Sequence, residues 1–280
     1  MYSKLLLTTE DSKLQLWDGK DGIKKLFHQP EIGGAMGLIV DKDLIFVNTP
    51  SFIYSLDKNN YKIVNKSKVQ NAQYHHMNMY GGYIYVSATN LNEIHIYKKK
   101  LQLEKKILIK PPQSKQPVRY KHNYNHINTI IKKNDRFFVN LNWLNKQYGY
   151  SGVAVFDEKW NEIKRYQLGW ESHDLQFYEA KKIVIVATSN PDKPINHPKQ
   201  SGIMIDNKLI FEHDYNESFC KALTWDSNYF YLCGGSKAQR ENRRFSKGII
   251  YIVDRKTFEL VEKIDNLTIG NIKGCRIWKG

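Results

Sequence analysis

The sequence predicts an all-β protein, a six-bladed β-propeller built from four-stranded antiparallel blades. A short pattern, apolar residues usually followed by Asp and then a polar turn, occurs six times in the 280 residues. Its copies recur on average every ~47 residues, which is the length of a four-stranded propeller blade. The pattern ends at Asp18, Asp57, Lys98, Asp157, Asp206 and Asp254.

Each copy of the pattern predicts the outer hairpin of one blade. Asp followed by Gly, Lys or Asn favours a tight turn, because these side chains stabilise or tolerate turn backbone. Alternating apolar runs before five of the hairpins predict second strands, and a shorter run before each of them predicts an inner strand. The second-strand runs are 44–47, 83–86, 137–139, 182–185 and 229–232.

The two ends of the chain supply the strands that the first blade lacks. Residues 4–9 predict a lone second strand, and residues 271–278 predict a lone inner strand. Pairing the last strand with the first completes the ring and leaves no open edge. We therefore expect one domain, residues 1–280, with blades at 4–30 plus 271–280, 34–66, 73–110, 126–169, 173–214 and 220–266.

In repeat length, blade number and closure by both ends, the chain resembles the six-bladed propellers that include gluconolactonase-like, paraoxonase-like and amidating-lyase proteins. The resemblance covers the whole chain. It is confined to architecture, because no signature of one of these families is present. The WD dipeptide of WD40 blades and the repeated glycine pair of kelch blades are also lacking.

Composition limits the classes of partner. A net charge of +15 favours anionic partners, although a generic lysine-rich surface would give the same number. The basic residues are spread over the blades without a recognised nucleic-acid module, so a nucleic-acid partner is not favoured. No stretch approaches the ~18 apolar residues of a membrane span. The short N-terminal apolar run and three cysteines without close pairing lead us to expect a cytoplasmic protein.

A column of mostly polar residues is predicted along the inner strands. These positions lie eleven residues before the equivalent apolar position of each second strand, at Met36, His75, Asn128, Asp174 and Lys221. Inner strands line the central channel of a propeller, so these side chains are expected to converge near its axis. Three further histidines flank the column, at His76, His126 and His173.

The column has several interpretations. Asn128 and Asp174 could bind Ca²⁺ through oxygen atoms, as the resemblance to gluconolactonase and paraoxonase implies. The first blade offers only Glu10 and Asp11 as acidic candidates for such a site. Alternatively, three of the four histidines could bind Zn²⁺ or Fe²⁺ with an open water position, as the amidating lyase implies. The same side chains could instead satisfy strand-end backbone groups, or act as acids and bases without a metal.

Long basic and aromatic loops are predicted over the same face, at 111–125, 142–151, 189–201 and 234–247. Such loops suit an anionic or sugar-bearing ligand, although they could also be solvated surface. Six of their residues are predicted ligand contacts: Asn142, Trp143, Asn190, Arg240, Arg243 and Arg244.

The sequence therefore predicts a metal-dependent hydrolase or lyase acting on a polar, sugar-like or anionic small molecule at the channel mouth. A divalent cation, Ca²⁺ or a transition metal such as Zn²⁺ or Fe²⁺, is expected at some of the five residues His75, His126, Asn128, His173 and Asp174. Catalytic roles are expected for His76, His126 and His173. The alternative is a non-catalytic module that binds a glycan, polyanion or protein partner through the basic loops.

Overall fold

Six four-stranded antiparallel sheets make up the molecule, and their order confirms the six-bladed propeller. The computed structural model describes residues 2–20, 22–29, 37–69, 72–110, 124–144, 150–179, 182–188 and 199–279, with only the backbone at Arg240. Within these residues no helix has the length and apolar character needed to cross a membrane.

The strands follow one another around the ring in chain order. The first three blades use β1 (Leu5–Thr9), β2 (Lys13–Trp17), β3 (Ile23–His28), β4 (Leu38–Val40), β5 (Leu44–Asn48), β6 (Phe52–Asp57), β7 (Ile63–Lys68), β8 (Tyr74–Tyr80), β9 (Tyr83–Ala88), β10 (Glu93–Lys98) and β11 (Leu103–Leu108). The remaining blades use β12 (Ile127–Lys133), β13 (Arg136–Leu141), β14 (Tyr150–Asp157), β15 (Glu162–Trp170), β16 (His173–Tyr178), β17 (Lys182–Ala187), β18 (Ser201–Ile205), β19 (Lys208–His213), β20 (Ser218–Trp225), β21 (Tyr229–Ser236), β22 (Gly248–Asp254) and β23 (Leu260–Leu267). The last strand, β24 (Ile272–Ile277), returns to the first blade. Two short 3₁₀ helices, Thr89–Leu91 and Arg240–Phe245, lie in loops.

Ring closure occurs as the sequence predicts. β24 pairs antiparallel with β1, with Leu5 opposite Ile277 and Leu7 opposite Cys275, and it is the inner strand of the first blade. Both ends of the chain are thereby tied into one sheet, so this blade has no open inner edge.

The repeated Asp has a local structural reason. The Oδ1 atom of Asp57 accepts hydrogen bonds from the backbone N–H groups of Asn59 and Asn60, at 2.9 and 3.0 Å. Asp254 does the same for Lys256 and Thr257, at 2.7 and 3.0 Å. Asp18 and Asp157 also accept backbone N–H groups of their own turns. A carboxylate that caps its own turn fixes the outer hairpin in these four blades. Asp206 instead accepts the N–H of Ile183 in the neighbouring strand, and the third blade has Lys98 at this position.

Burial is concentrated between blades, and charge lies on the outer strands. Trp17 of the first blade packs edge-on against Tyr231 of the sixth, with ring centroids 6.3 Å apart. Phe137 and Trp160 stack at 4.4 Å in another such cluster. Outer strands such as β11 expose Lys and Glu side chains to solvent. The core therefore leaves the inner strands free to carry polar groups toward the channel.

Candidate functional site

The inner strands of five blades break their pairing register at their first residues. A β-bulge of this kind turns side chains out of the normal alternation and re-aims them. The register shifts lie between Tyr74 and Met77, Ile127 and Ile130, His173 and Gln176, Cys220 and Ala222, and opposite Thr8 and Thr9 in the β1–β24 pair. Residues skipped by these shifts include His75, His76, Asn128, Thr129, Asp174, Lys221 and Lys273.

These bulge residues meet around one cavity in the channel. Its volume is about 30 Å³, which is enough to hold at least one water molecule or the end of a small ligand. It is lined by the seven bulge residues together with His173. Lys273 and Thr129 were not among the predicted site residues.

His75 presents an unused basic nitrogen. Its Nδ1 lies 2.6 Å from Oδ1 of Asn128, whose Nδ2 donates to the carbonyl oxygen of Ser172 at 2.9 Å. Because the amide oxygen accepts, Nδ1 of His75 carries the proton and Nε2 carries a lone pair. Nε2 is buried and has no hydrogen-bond partner among the described residues. Burial and the charge of Lys221 lower the pKa of His75 to about 3.

Asp174 ties four blades together at the cavity. Its Oδ2 accepts the backbone N–H of Leu223 at 2.7 Å, and its Oδ1 lies 3.2 Å from Nε2 of His76. Arg276 from β24 is 3.8 Å away. Burial alone would raise the pKa of this carboxyl, but Arg276, His76 and the Leu223 N–H outweigh it and hold the pKa below its usual range.

Lys221 is a basic group without a counter-ion among the residues that the structure describes. Its Nζ lies over the Phe219 ring, 4.7 Å from the centroid, and it forms no ion pair or hydrogen bond with any residue that the structure describes. Burial lowers its pKa well below the ordinary value, and nearby Lys273 and Arg243 add to the shift. Lys273, in contrast, is ion-paired with Glu10.

The other three histidines differ in their surroundings. His126 packs edge-on against His75, with ring centroids 5.1 Å apart, and lies 4.7 Å from the Trp143 ring. His173 is buried at the cavity, and burial followed by Lys221 lowers its pKa well below the ordinary value. His76 lies 3.0 Å from an Nη atom of Arg276. His126 thus stands behind the cavity rather than in its lining.

The predicted loop contacts occupy several places. Asn142 is buried and donates its backbone N–H to the His126 carbonyl oxygen, so Asn142 and Trp143 support the site from behind. Arg243 lies over Phe219 at 4.5 Å, on the ring that Lys221 also contacts. Arg244 is exposed over Phe245. Asn190 and the Arg240 side chain, like the column residue Met36, lie outside the described residues.

The donor set can be compared with the two predicted kinds of metal. No group of three or more His, Cys, Asp or Glu side chains in the described residues is arranged to hold a metal ion. The oxygens of Asn128 and Asp174 that would bind Ca²⁺ already accept hydrogen bonds from His75, Gln176 and Leu223. Ca²⁺ takes six to eight oxygen ligands, whereas this cavity presents ammonium and imidazole groups. The described residues therefore do not fit Ca²⁺, and they offer no arranged group of three ligands for Zn²⁺ or Fe²⁺; no step below uses a metal ion.

A second cavity, of about 860 Å³, lies at the other end of the inner strands. Trp225, Arg255 and Trp278 line it. Two of its charged groups serve the fold: Asp226 accepts from Ser3 and Tyr231, and the Arg255 guanidinium lies against the Tyr178 and Phe230 rings. The smaller cavity is the better candidate site because it brings together buried histidines whose pKa values are strongly lowered.

Comparisons with solved structures agree with the fold. A protein of unknown function from Bacteroides caccae is 12% identical with a TM-score of 0.69, over 100% of both chains. A chain of the nidogen/laminin complex is 10% identical with a TM-score of 0.62, over 98% of this chain and 97% of that one. The β-propeller domain of Cps50 (Swd1) from Myceliophteria thermophila is 10% identical with a TM-score of 0.56, over 94% and 83%. These likenesses show the fold alone.

Comparisons of the sequence itself identify no relative. No family model matches the chain, and no curated protein matches it. Function must therefore be argued from the site.

Proposed function

We propose that the protein is an enzyme that binds a small anionic molecule at the channel mouth and promotes its hydrolysis or an elimination reaction. The observation that carries this proposal is the buried, unpartnered Nε2 of His75 in a cavity shared with the unpaired Lys221. A base of fixed tautomer beside an uncompensated cation is the arrangement that acid–base chemistry on an anion requires.

The charges around the cavity favour an anion. Three cationic side chains, Lys221, Lys273 and Arg276, face two carboxylates, Glu10 and Asp174. When Lys221 is protonated, this set carries one positive charge in excess. A ligand with one acidic group offsets that charge, whereas a neutral ligand leaves it buried and uncompensated.

His75 is the proposed general base. Asn128 holds its Nδ1–H, and Ser172 in turn holds the Asn128 amide, which is the base-and-orienter geometry of hydrolytic sites. With a pKa of about 3, His75 is a weak base in the free protein. Because the charges of Lys221 and Lys273 contribute to that low pKa, an acidic ligand bound beside them raises it. The base therefore strengthens when the ligand binds.

Paired ligands test the anion site. Thermal stability is measured at constant ionic strength with lactate and with lactamide, which differ in the charge of one group. We expect stabilisation by lactate alone, lost in Lys221→Met and kept in the exposed control Lys208→Met. Equal effects of acid and amide, or no effect of either, would overturn the anion site.

Activity tests the base. A panel of lactones, esters and hydroxy acids is screened with the native protein and with Asn128→Ala. General-base catalysis contributes about 10²–10⁴-fold, so the variant should lose much of any turnover while keeping lactate binding. Turnover unchanged in Asn128→Ala contradicts the role of the His75–Asn128 pair.

Elemental analysis addresses the metal-dependent form of the prediction. About one equivalent of Zn, Fe or Ca in the purified protein, lost in a His126→Ala, Asp174→Ala double variant, would restore that form. Protein without metal that still turns over a substrate supports the acid–base form.

A second candidate is a non-catalytic binding module for a glycan, polyanion or protein partner. It is favoured by Phe245, which is 73% exposed with the Arg244 guanidinium 4.6 Å from its ring centroid. An Arg244→Glu, Phe245→Ser variant should then lose retention on a heparin column, and His75→Gln should keep it. If the enzyme proposal is correct, His75→Gln should lose turnover in the substrate screen, and the Arg244→Glu, Phe245→Ser variant should keep it.

A further inference from the structure

Within the described part of the chain, Lys221 differs from Lys273 and Arg276 in having no counter-ion. Lys273 pairs with Glu10, and Arg276 lies near Asp174. The Lys221 Nζ lies over the Phe219 ring, 4.7 Å from its centroid. The cavity also places it among the imidazoles of His75 and His173.

This environment favours the uncharged amine. Taking an ammonium out of water is costly without a partner, and a neighbouring like charge adds to the cost. The groups acting on Lys221 come from every side: Lys273 and Arg243 oppose its charge, and Glu10 and Glu171 support it. His75 and His173 are themselves neutral, since burial lowers the pKa of each. The net result is a pKa for Lys221 well below that of a surface lysine.

A neutral primary amine beside another cationic group is a nucleophile toward carbonyl carbon. We propose that Lys221 forms an imine with a small carbonyl acid, a 2-oxo acid or an aldehyde acid, bound in the channel. This inference rests on the proposed function: the acid group binds while Lys221 is protonated, and the bound molecules in which Lys221 is neutral undergo attack at the carbonyl carbon.

The step balances without any added reagent. The Nζ lone pair forms the C–N bond while the carbonyl π electrons move to oxygen, and a proton passes from nitrogen to that oxygen. The resulting hydroxyl then leaves with one further proton as water, which gives the imine. Nε2 of His75 is a proton acceptor in the same cavity. Protonation of the imine nitrogen provides an electron sink for cleavage of a neighbouring bond, which is lyase chemistry.

The cavity is small, about 30 Å³. The proposed ligand is accordingly a small carbonyl acid.

Reductive trapping tests the inference on the native protein. The protein is incubated at pH 7 with pyruvate and sodium cyanoborohydride, digested, and mapped by mass spectrometry. We expect one reduced adduct, on Lys221, formed at least about tenfold faster than on exposed Lys208, since each unit of pKa lowering raises the neutral fraction tenfold. Prior incubation with lactate, which has the acid group but no carbonyl, should slow the labelling.

The outcomes separate the imine from the anion site. Stabilisation by lactate and pyruvate without an adduct on Lys221 overturns the imine and leaves the proposed function standing. If Lys221 is labelled no faster than Lys208, the imine is likewise overturned and the proposed function is retained. If neither acid stabilises the protein and no adduct forms, both proposals fail. A Lys221→Arg variant, which keeps the charge, should bind lactate but give no adduct at this position.

Discussion

Mild acid should destabilise this protein before its carboxylates titrate. His75 and His213 are buried, and burial lowers their pKa values to about 3 and about 4. An unfolded histidine has a pKa of about 6.5. The unfolded chain therefore binds protons that the folded chain does not, so stability is full above about pH 6.5 and is lost as pH falls toward the folded pKa values.

The magnitude follows from the two pKa values. At pH 5, each of these histidines costs about 2 kcal/mol, because the unfolded form gains about 1.4 kcal/mol for each pH unit below its pKa. His75 and His213 together cost about 4 kcal/mol. His76 and His173 act in the same direction, since burial lowers their pKa values too. For a domain of this size about 2 °C of Tm corresponds to 1 kcal/mol, so Tm should fall by at least about 8 °C between pH 7 and pH 5.

Thermal unfolding at constant chloride measures this fall. His213→Asn keeps a polar group near Ser218, whose Oγ lies 2.8 Å from Nδ1 of His213, but removes the titrating ring. Its own loss of stability between pH 7 and pH 5 should be smaller than that of the native protein by about 2 kcal/mol. His28→Gln, at an exposed histidine, should change the loss little. A Tm that stays flat between pH 7 and pH 5 would refute the reasoning.

Two further predictions concern the channel. Asp174→Ala leaves the Leu223 N–H, His76 and Arg276 without their acceptor. The variant should lose about 3–5 kcal/mol of stability, measured as a Tm drop of about 6–10 °C. The control Asp265→Ala, at an exposed site, should change Tm by under about 1 °C. Lys221→Met removes a half-buried amine that has no counter-ion among the described residues. It should raise Tm by about 2–5 °C, and a lower Tm would mean that the amine has a compensating partner in the folded protein.

The fold could be predicted because its signals are local and repeated. Asp57 and Asp254 cap their own turns, so the short pattern that encodes this turn recurs along the chain. Strand alternation then follows from burial between blades. Closure was predictable as well, since residues 4–9 and 271–278 each lacked a partner and β1 pairs with β24.

The candidate site was only partly predictable, because it depends on bulges. Regular alternation would send His75 and His76 to opposite faces of β8, yet both line the cavity because the register shifts between Tyr74 and Met77. Lys273 entered the site in the same way, through the irregular pairing of β24 with β1. The signal for Lys273 was its place in the predicted closing strand, at the level where the other inner strands carry polar residues. Nothing in the sequence distinguished Lys273, which has a counter-ion, from Lys221, which does not.

The bulges are also the reason to interpret the cavity as a functional site rather than as a gap in the packing of the channel. A regular inner strand could fill the channel with small or apolar side chains and keep every backbone pair. Here the pairing register shifts in the inner strands of five blades at the same level of the channel. The residues that the shifts turn toward the channel include Lys221, which has no counter-ion among the described residues, and His75, whose Nε2 has no hydrogen bond there. A buried nitrogen without a hydrogen bond and a lysine without a counter-ion among the described residues each lower the stability of the folded state. Costly features that converge on one small cavity are expected where binding or chemistry, rather than folding, selects the residues.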